Sequence, residues 1–215
     1  MIRVLSHSSK MGNIPSFDVS LSTCQDSCNY GNKTNLCYMK NNMQYKMNKK
    51  YKEKIKRNTR LINTKSFYKV LDSQIKESNC LKFRYFVSGD INTINQLSKI
   101  VYVAELNPNV LFWMPTHRFD LVKKYLDIGC KLPKNLNVRI SNPLPNSKTP
   151  EFLIKLYKKY GLNYSESSLN KSRVNCKSSY NNKTCLENNC DKCFSNEPVT
   201  YQLHGKFTKM RLKRL

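Results

Sequence analysis

Lys82-Phe-Arg-Tyr-Phe-Val87, Val110-Leu-Phe-Trp-Met114 and Asn137-Val-Arg-Ile-Ser141 are three short, apolar, aromatic or β-branched runs. What lies between them decides the fold. The first run stops at Ser88-Gly89-Asp90, and a helix is predicted from 92 to 106 with Ile94, Leu97, Ile100, Val101 and Ala104 on one side. Asn107-Pro108-Asn109 turns the chain into the second run, which closes on Pro115-Thr116-His117-Arg118. A helix over 119–128 follows, ended by Gly129, and then comes the third run. Strand, helix, strand, helix, strand with apolar strands implies right-handed βαβ units in a parallel sheet.

Upstream, Phe17-Asp-Val19-Ser-Leu21 alternates as a strand with one wet face would, and it leads directly to Cys24. The segment from Met39 to Arg60 reads as a helix with a broad cationic face: Lys46, Lys49, Lys50, Lys52, Lys54, Lys56, Arg57 and Arg60. Tyr45, Tyr51, Ile55 and Leu61 supply its apolar stripe. A second amphipathic helix is predicted from 64 to 77, with Phe67, Val70, Leu71 and Ile75 inward. Downstream, 150–164 reads as another basic helix, 165–193 is polar and short of apolar residues, and Val199-Thr-Tyr201 reads as a last short strand.

The expected fold class is α/β. A partial (βα) barrel-like parallel sheet should carry Cys-rich N- and C-terminal loops that close over a metal cluster. The whole of 1–215 forms one domain. Within it lie an N-terminal Cys loop (14–40), basic helices (41–79), βα units (80–164), a Cys-rich cluster-binding segment (165–205) and a basic tail (206–215). With 39% hydrophobic and 11% aromatic residues there is material for a core.

The chain holds nine cysteines. No apolar signal segment opens it, so the expectation is a reduced compartment, the cytoplasm of an infected bacterial host, and thiols that bind metal. No run approaches the roughly 20 apolar residues of a membrane span. Cys190-Asp-Lys-Cys193 has the two-residue gap that lets two thiolates converge on zinc or an iron–sulfur cluster. Cys176 and Cys185 can complete a four-sulfur site with that pair. Alternatively, Cys37 with Cys24 or Cys28 meets Cys190 and Cys193 in one shared cluster. Spacing leaves the two partitions open. Cys80 and Cys130 read as plain buried thiols.

In a parallel sheet, functional groups gather at the C-terminal ends of the strands. Ser88, Gly89 and Asp90 are therefore candidate cofactor-binding residues, and Asp90, His117 and Arg118 candidate catalytic ones. The competing reading has Asp90 capping a helix and Arg118 pairing with an acidic neighbour. The formal net charge of +24 suggests a polyanionic partner, with nucleic acid, DNA or RNA, first among the choices. Lysine far outnumbers arginine, so a coding bias that inflates lysine and leaves a solvated surface is the plain alternative.

Several of these stretches together resemble a known family. They are the Cys loop ending in Cys37-Tyr38, the run from Phe83 to Asp90, the run from Asn107 to Arg118, Asn137–Ser141, and Cys190-Asp-Lys-Cys193-Phe followed by Val199–His204. The combination is similar to a phage-encoded family known by its gene-product number, eighty-eight, and to a shortened radical-SAM-like barrel. The resemblance covers residues 14 to 205. It implies a cluster, four-iron–four-sulfur (4Fe–4S), between the N-terminal Cys loop and the C-terminal pair, with Cys24, Cys37, Cys190 and Cys193 as ligands and Cys28, Cys176 and Cys185 in reserve. Radical-SAM enzymes space three cysteines by three and two residues. Cys24 and Cys28 keep the first gap, but eight residues separate Cys28 from Cys37.

The leading expectation is thus a phage iron–sulfur protein that binds nucleic acid through its basic surface. A radical-SAM-like enzyme and a zinc-stabilised nucleic-acid-binding module without redox chemistry are the alternatives.

Overall fold

The computed structural model describes residues 3–24, 37–41 and 47–203. Seven strands form one sheet: β1 Leu5–Ser8, β2 Ile14–Phe17, β3 Lys82–Tyr85, β4 Leu111–Thr116, β5 Leu136–Ser141, β6 Asn163–Ser168 and β7 Val199–Gln202. Their spatial order follows the chain, β1 antiparallel to β2 and every later pair parallel. Among the described residues, five helices of nine or more residues occupy the connections: α1 Lys49–Leu61 and α2 Phe67–Ser78 before β3, α3 Ile94–Leu106 before β4, α4 Phe119–Asp127 before β5, and α5 Glu151–Tyr160 before β6. The helical crossovers each step to the next strand, and their helices contribute to one core against the sheet. None of the described helices is long and apolar enough to cross a membrane.

Local chemistry sets the element ends. Asn48 Oδ1 accepts from Tyr51 N at 2.9 Å to start α1, and Thr93 Oγ1 accepts from Gln96 N to start α3. Asn79 (φ 47°) and Gly161 (φ 63°) end α2 and α5 in the left-handed conformation. One core fills the space between the helices and the sheet. From the strands come Phe17, Phe83, Tyr85, Phe112, Met114, Val138 and Ile140; from the helices come Phe67, Leu71, Ile75, Leu97, Ile100 and Val122. Phe17 meets Phe67 edge-on at 5.3 Å, and Phe83 lies 5.5 Å from Phe112. Pairs of this kind add about 0.5–1.5 kcal/mol beyond their buried area. The residues between these core positions, Arg84, Trp113, Asn137 and Arg139, project to the opposite face.

Four local expectations change. The sheet begins with an antiparallel hairpin, β1–β2, that the sequence pattern did not assign. The strand leading to Cys24 lies at Ile14–Phe17, ahead of the stretch read as strand; Asp18 ends it by accepting from Ser16 Oγ and Val87 N, and Leu21–Thr23 is a 3₁₀ turn. The basic helix starts at Lys49, and Tyr38–Asn41 is also helical. The helix predicted to reach 164 stops at Tyr160, and Asn163–Ser168 is a strand without an aliphatic residue.

Candidate metal centre

The long connection between β6 and β7 spans the gap between the two edges of the sheet. On the β7 side, Asn175 N and Cys176 N both donate to Thr200 O at 3.2 Å, Thr200 N donates to Asn175 Oδ1, and Gln202 N donates to Ser179 Oγ. On the β1–β2 side, Cys185 N donates to Lys10 O at 2.9 Å and Leu186 packs on Gly12. Between these anchors the segment lies across the polar face of the sheet. Asn137 Nδ2 donates to the carbonyls of Cys193 and Ser195, Lys82 Nζ pairs with Asp191 at 2.5 Å, and Phe194 meets the edge of Trp113. Polar contacts to the sheet therefore order much of a segment that has little apolar material of its own.

Cys176, Cys185, Cys190 and Cys193, all free thiols, stand on the wall of one cavity of about 180 Å³, together with Met11 and Lys82. Burial pushes the Cys193 thiol up to about 11 against the opposing pull of Tyr201, Arg139 and Arg84. Burial also raises Cys176, and the neighbouring Cys185 and Cys190 add to the rise. A bound cation is what would turn such thiols into thiolates. Among the described residues, no three His, Cys, Asp or Glu side chains are gathered as a single metal ion requires.

Cys24 lies elsewhere. Thr23 Oγ1 accepts from Asp90 N, and Asp90 Oδ1 accepts from Thr116 Oγ1, so Cys24 follows the C-terminal ends of β3 and β4. The Cys193 carbonyl accepts from Asn137 Nδ2, and its sulfur lies 3.5 Å from Tyr201 Oη. The shared site expected from Cys24, Cys37, Cys190 and Cys193 includes a loop, 25–36, that lies outside the described residues. Cys37 opens the Tyr38–Asn41 turn, where Lys40 N donates to its sulfur at 3.4 Å. Cys28, Lys46, His204 and the basic tail lie outside the described residues.

The expected catalytic and cofactor residues do meet, at the C-terminal rim, but their polar groups serve the rim's own architecture. Ser88 Oγ donates to Val19 O at 2.7 Å, and Gly89 lies against Val19 and Ser20. The Asp90 carboxylate accepts from Ile91 N, Thr116 Oγ1 and His117 N; even so, burial raises it to about 6. Arg118 makes a two-pronged pair with Asp120 at 2.8 and 2.7 Å, the structural role that the competing reading gave it. Burial lowers His117 to about 4, so its imidazole is neutral at pH 7.

On α1, Lys49, Lys50, Lys56, Arg57 and Arg60 are exposed. Lys54 donates to Leu5 O of β1, and Arg57 donates to Arg3 O just ahead of that strand. Sequence reasoning missed Arg84, Trp113 and Arg139, which form the floor under the cysteine segment. Their signal was present: a charged residue at the centre of an apolar strand alternates onto the opposite face from the core.

A family model described as gene product 88 matches residues 4–194. Neither a curated relative nor a solved structure matches the chain. The match spans most of the sequence, so the chain belongs to the gene product 88 family, a phage gene-product family by its name.

Proposed function

We propose that this member of the gene product 88 family holds an iron–sulfur cluster of the 4Fe–4S type on Cys176, Cys185, Cys190 and Cys193, and that its basic helical face engages nucleic acid. The observation that carries the first part is the cavity of about 180 Å³ with four free thiols on its wall. A single zinc, with Zn–S bonds of about 2.3 Å, draws its four sulfurs to within about 4 Å of one another. Thiols spread around a cavity suit a larger guest with several metal atoms, and four cysteines are the usual ligand set of a 4Fe–4S cluster. When bound, such a cluster supplies one-electron transfer and a cross-tie between the segments that carry its ligands. The chain's own residues anchor the segment at both sheet edges.

Anaerobically purified protein is expected to be brown and to carry about four iron and four sulfide per chain. A colourless preparation with one zinc per chain and no sulfide would replace the cluster with a zinc-stabilised module. The commitment of Asp90 and Arg118 to the rim argues against assigning the reaction chemistry of the enzyme reading to them. Nucleic-acid binding is supported by the net charge of +24 and by the exposed cations of α1.

A further inference from the structure

Three buried N–H groups on three neighbouring strands have no acceptor: Arg84 Nε on β3, Trp113 Nε1 on β4 and Arg139 Nε on β5. Arg139 is wholly buried, and its terminal nitrogens donate to four backbone carbonyls, those of Tyr164, Lys192, Ser195 and Glu197, at 2.7–3.0 Å. All four partners are neutral. Arg84 lies 4.4 Å over the Trp113 ring and gives its Nη1 to Met11 Sδ, also a neutral acceptor. Met11, Lys192 and Phe194, which these side chains touch, belong to the wall of the cysteine cavity.

A buried cation among neutral partners costs several kcal/mol, and each orphan donor about 1–3 kcal/mol more. Chains keep such groups where an anion offsets the cost. A 4Fe–4S core of charge 2+ with four thiolates carries a net charge of 2−, equal and opposite to two guanidinium groups. Its sulfurs are acceptors for N–H donors.

We infer that Arg84, Trp113 and Arg139 are the charge-balancing and hydrogen-bonding donors of the cysteine-held centre, and that they keep its one-electron reduced form accessible. The inference rests on the cluster reading above. Reduction adds one negative charge at the centre, so nearby cations and N–H···S bonds stabilise the reduced state more than the oxidised one.

The test is a redox titration of the reconstituted full-length protein, followed by visible absorbance and by the electron-spin signal of the reduced cluster, with iron and sulfide counted alongside. Arg84→Met removes one cation at similar volume and should shift the reduced-to-oxidised ratio at a fixed potential at least tenfold toward the oxidised form, about 59 mV for one electron. Trp113→Phe removes only an N–H and should shift it in the same direction by a smaller factor, with iron content unchanged. Trp113→Phe carries the test if Arg84→Met does not fold. Unchanged midpoints in the folded, cluster-loaded variants overturn this inference and leave the cluster standing. Wild-type protein without iron and sulfide overturns the cluster reading itself.

Discussion

Gly89 shows how tightly the C-terminal rim is drawn together. At φ 76°, a Cβ there would meet Val19 Cγ2 at 2.4 Å, Thr23 Oγ1 at 2.7 Å and Ser20 O at 2.8 Å, so the loop after β3 and the segment leading to Cys24 could not close. Gly89→Ala should cost roughly 3 kcal/mol in urea unfolding, against about 1 kcal/mol for Gly129→Ala, where φ is 86° and nothing lies within 4 Å. Asp90 gives a pH signature. Its carboxyl titrates at about 6 when folded and at 3.8 when solvated in the unfolded chain, so between these values the folded chain holds a proton that the unfolded chain has released. Its contribution to stability is therefore full below about pH 4 and lost as pH rises through 6, by roughly 3 kcal/mol in all. In Asp90→Asn that decline should vanish from the urea midpoint measured between these pH values; an identical slope in both proteins would show that Asp90 does not titrate there.

At the scale of elements, the βα units were legible because their apolar periodicities are strong: α2, α3 and α4 and strands β3, β4 and β5 all lie close to where the pattern puts them. Strand β6 was not legible. Asn163-Tyr-Ser-Glu-Ser-Ser168 offers no apolar alternation, because its neighbours are polar: Asn163 bonds Asn137 and Asn196, and Glu166 accepts from Thr149 and Arg173. Only Tyr164, stacked 5.3 Å from Tyr157 of α5, betrays a helix-facing position. The basic helix α1 was legible as charge but not as an anchor, since nothing in the sequence shows that Asn58 Nδ2 bridges the carbonyls of Val4 and Asp18. Its free face carries the nucleic-acid prediction. Charge reversal at Lys49, Lys50 and Lys56 together should weaken binding to all sequences alike and reduce the slope of log affinity against log salt by about 3, measured between about 50 and 200 mM salt. An unchanged slope would place the contact away from α1.

For the whole molecule, the question was how two groups of cysteines at the two ends of the chain relate. Spacing alone could not say, because ligand gaps constrain local loops and carry no information about which end of a sheet a loop crosses. The resemblance favoured one cluster shared between them. Among the described residues, Cys176, Cys185, Cys190 and Cys193 share the wall of one cavity, while Cys24 follows the rim held by Asp90, and the proposed cluster is placed on the former set. A cluster there would tie together a segment held at one edge by Thr200 and at the other by Lys10, making it a clasp on an otherwise open sheet. The most direct test is iron and sulfide analysis of two variants after anaerobic reconstitution. A variant with Cys24, Cys28 and Cys37 all changed to Ala should keep about four iron and four sulfide per chain, while Cys190→Ser with Cys193→Ser should lose that cluster. Complete loss of iron and sulfide from the folded Cys24, Cys28, Cys37 variant would contradict this placement.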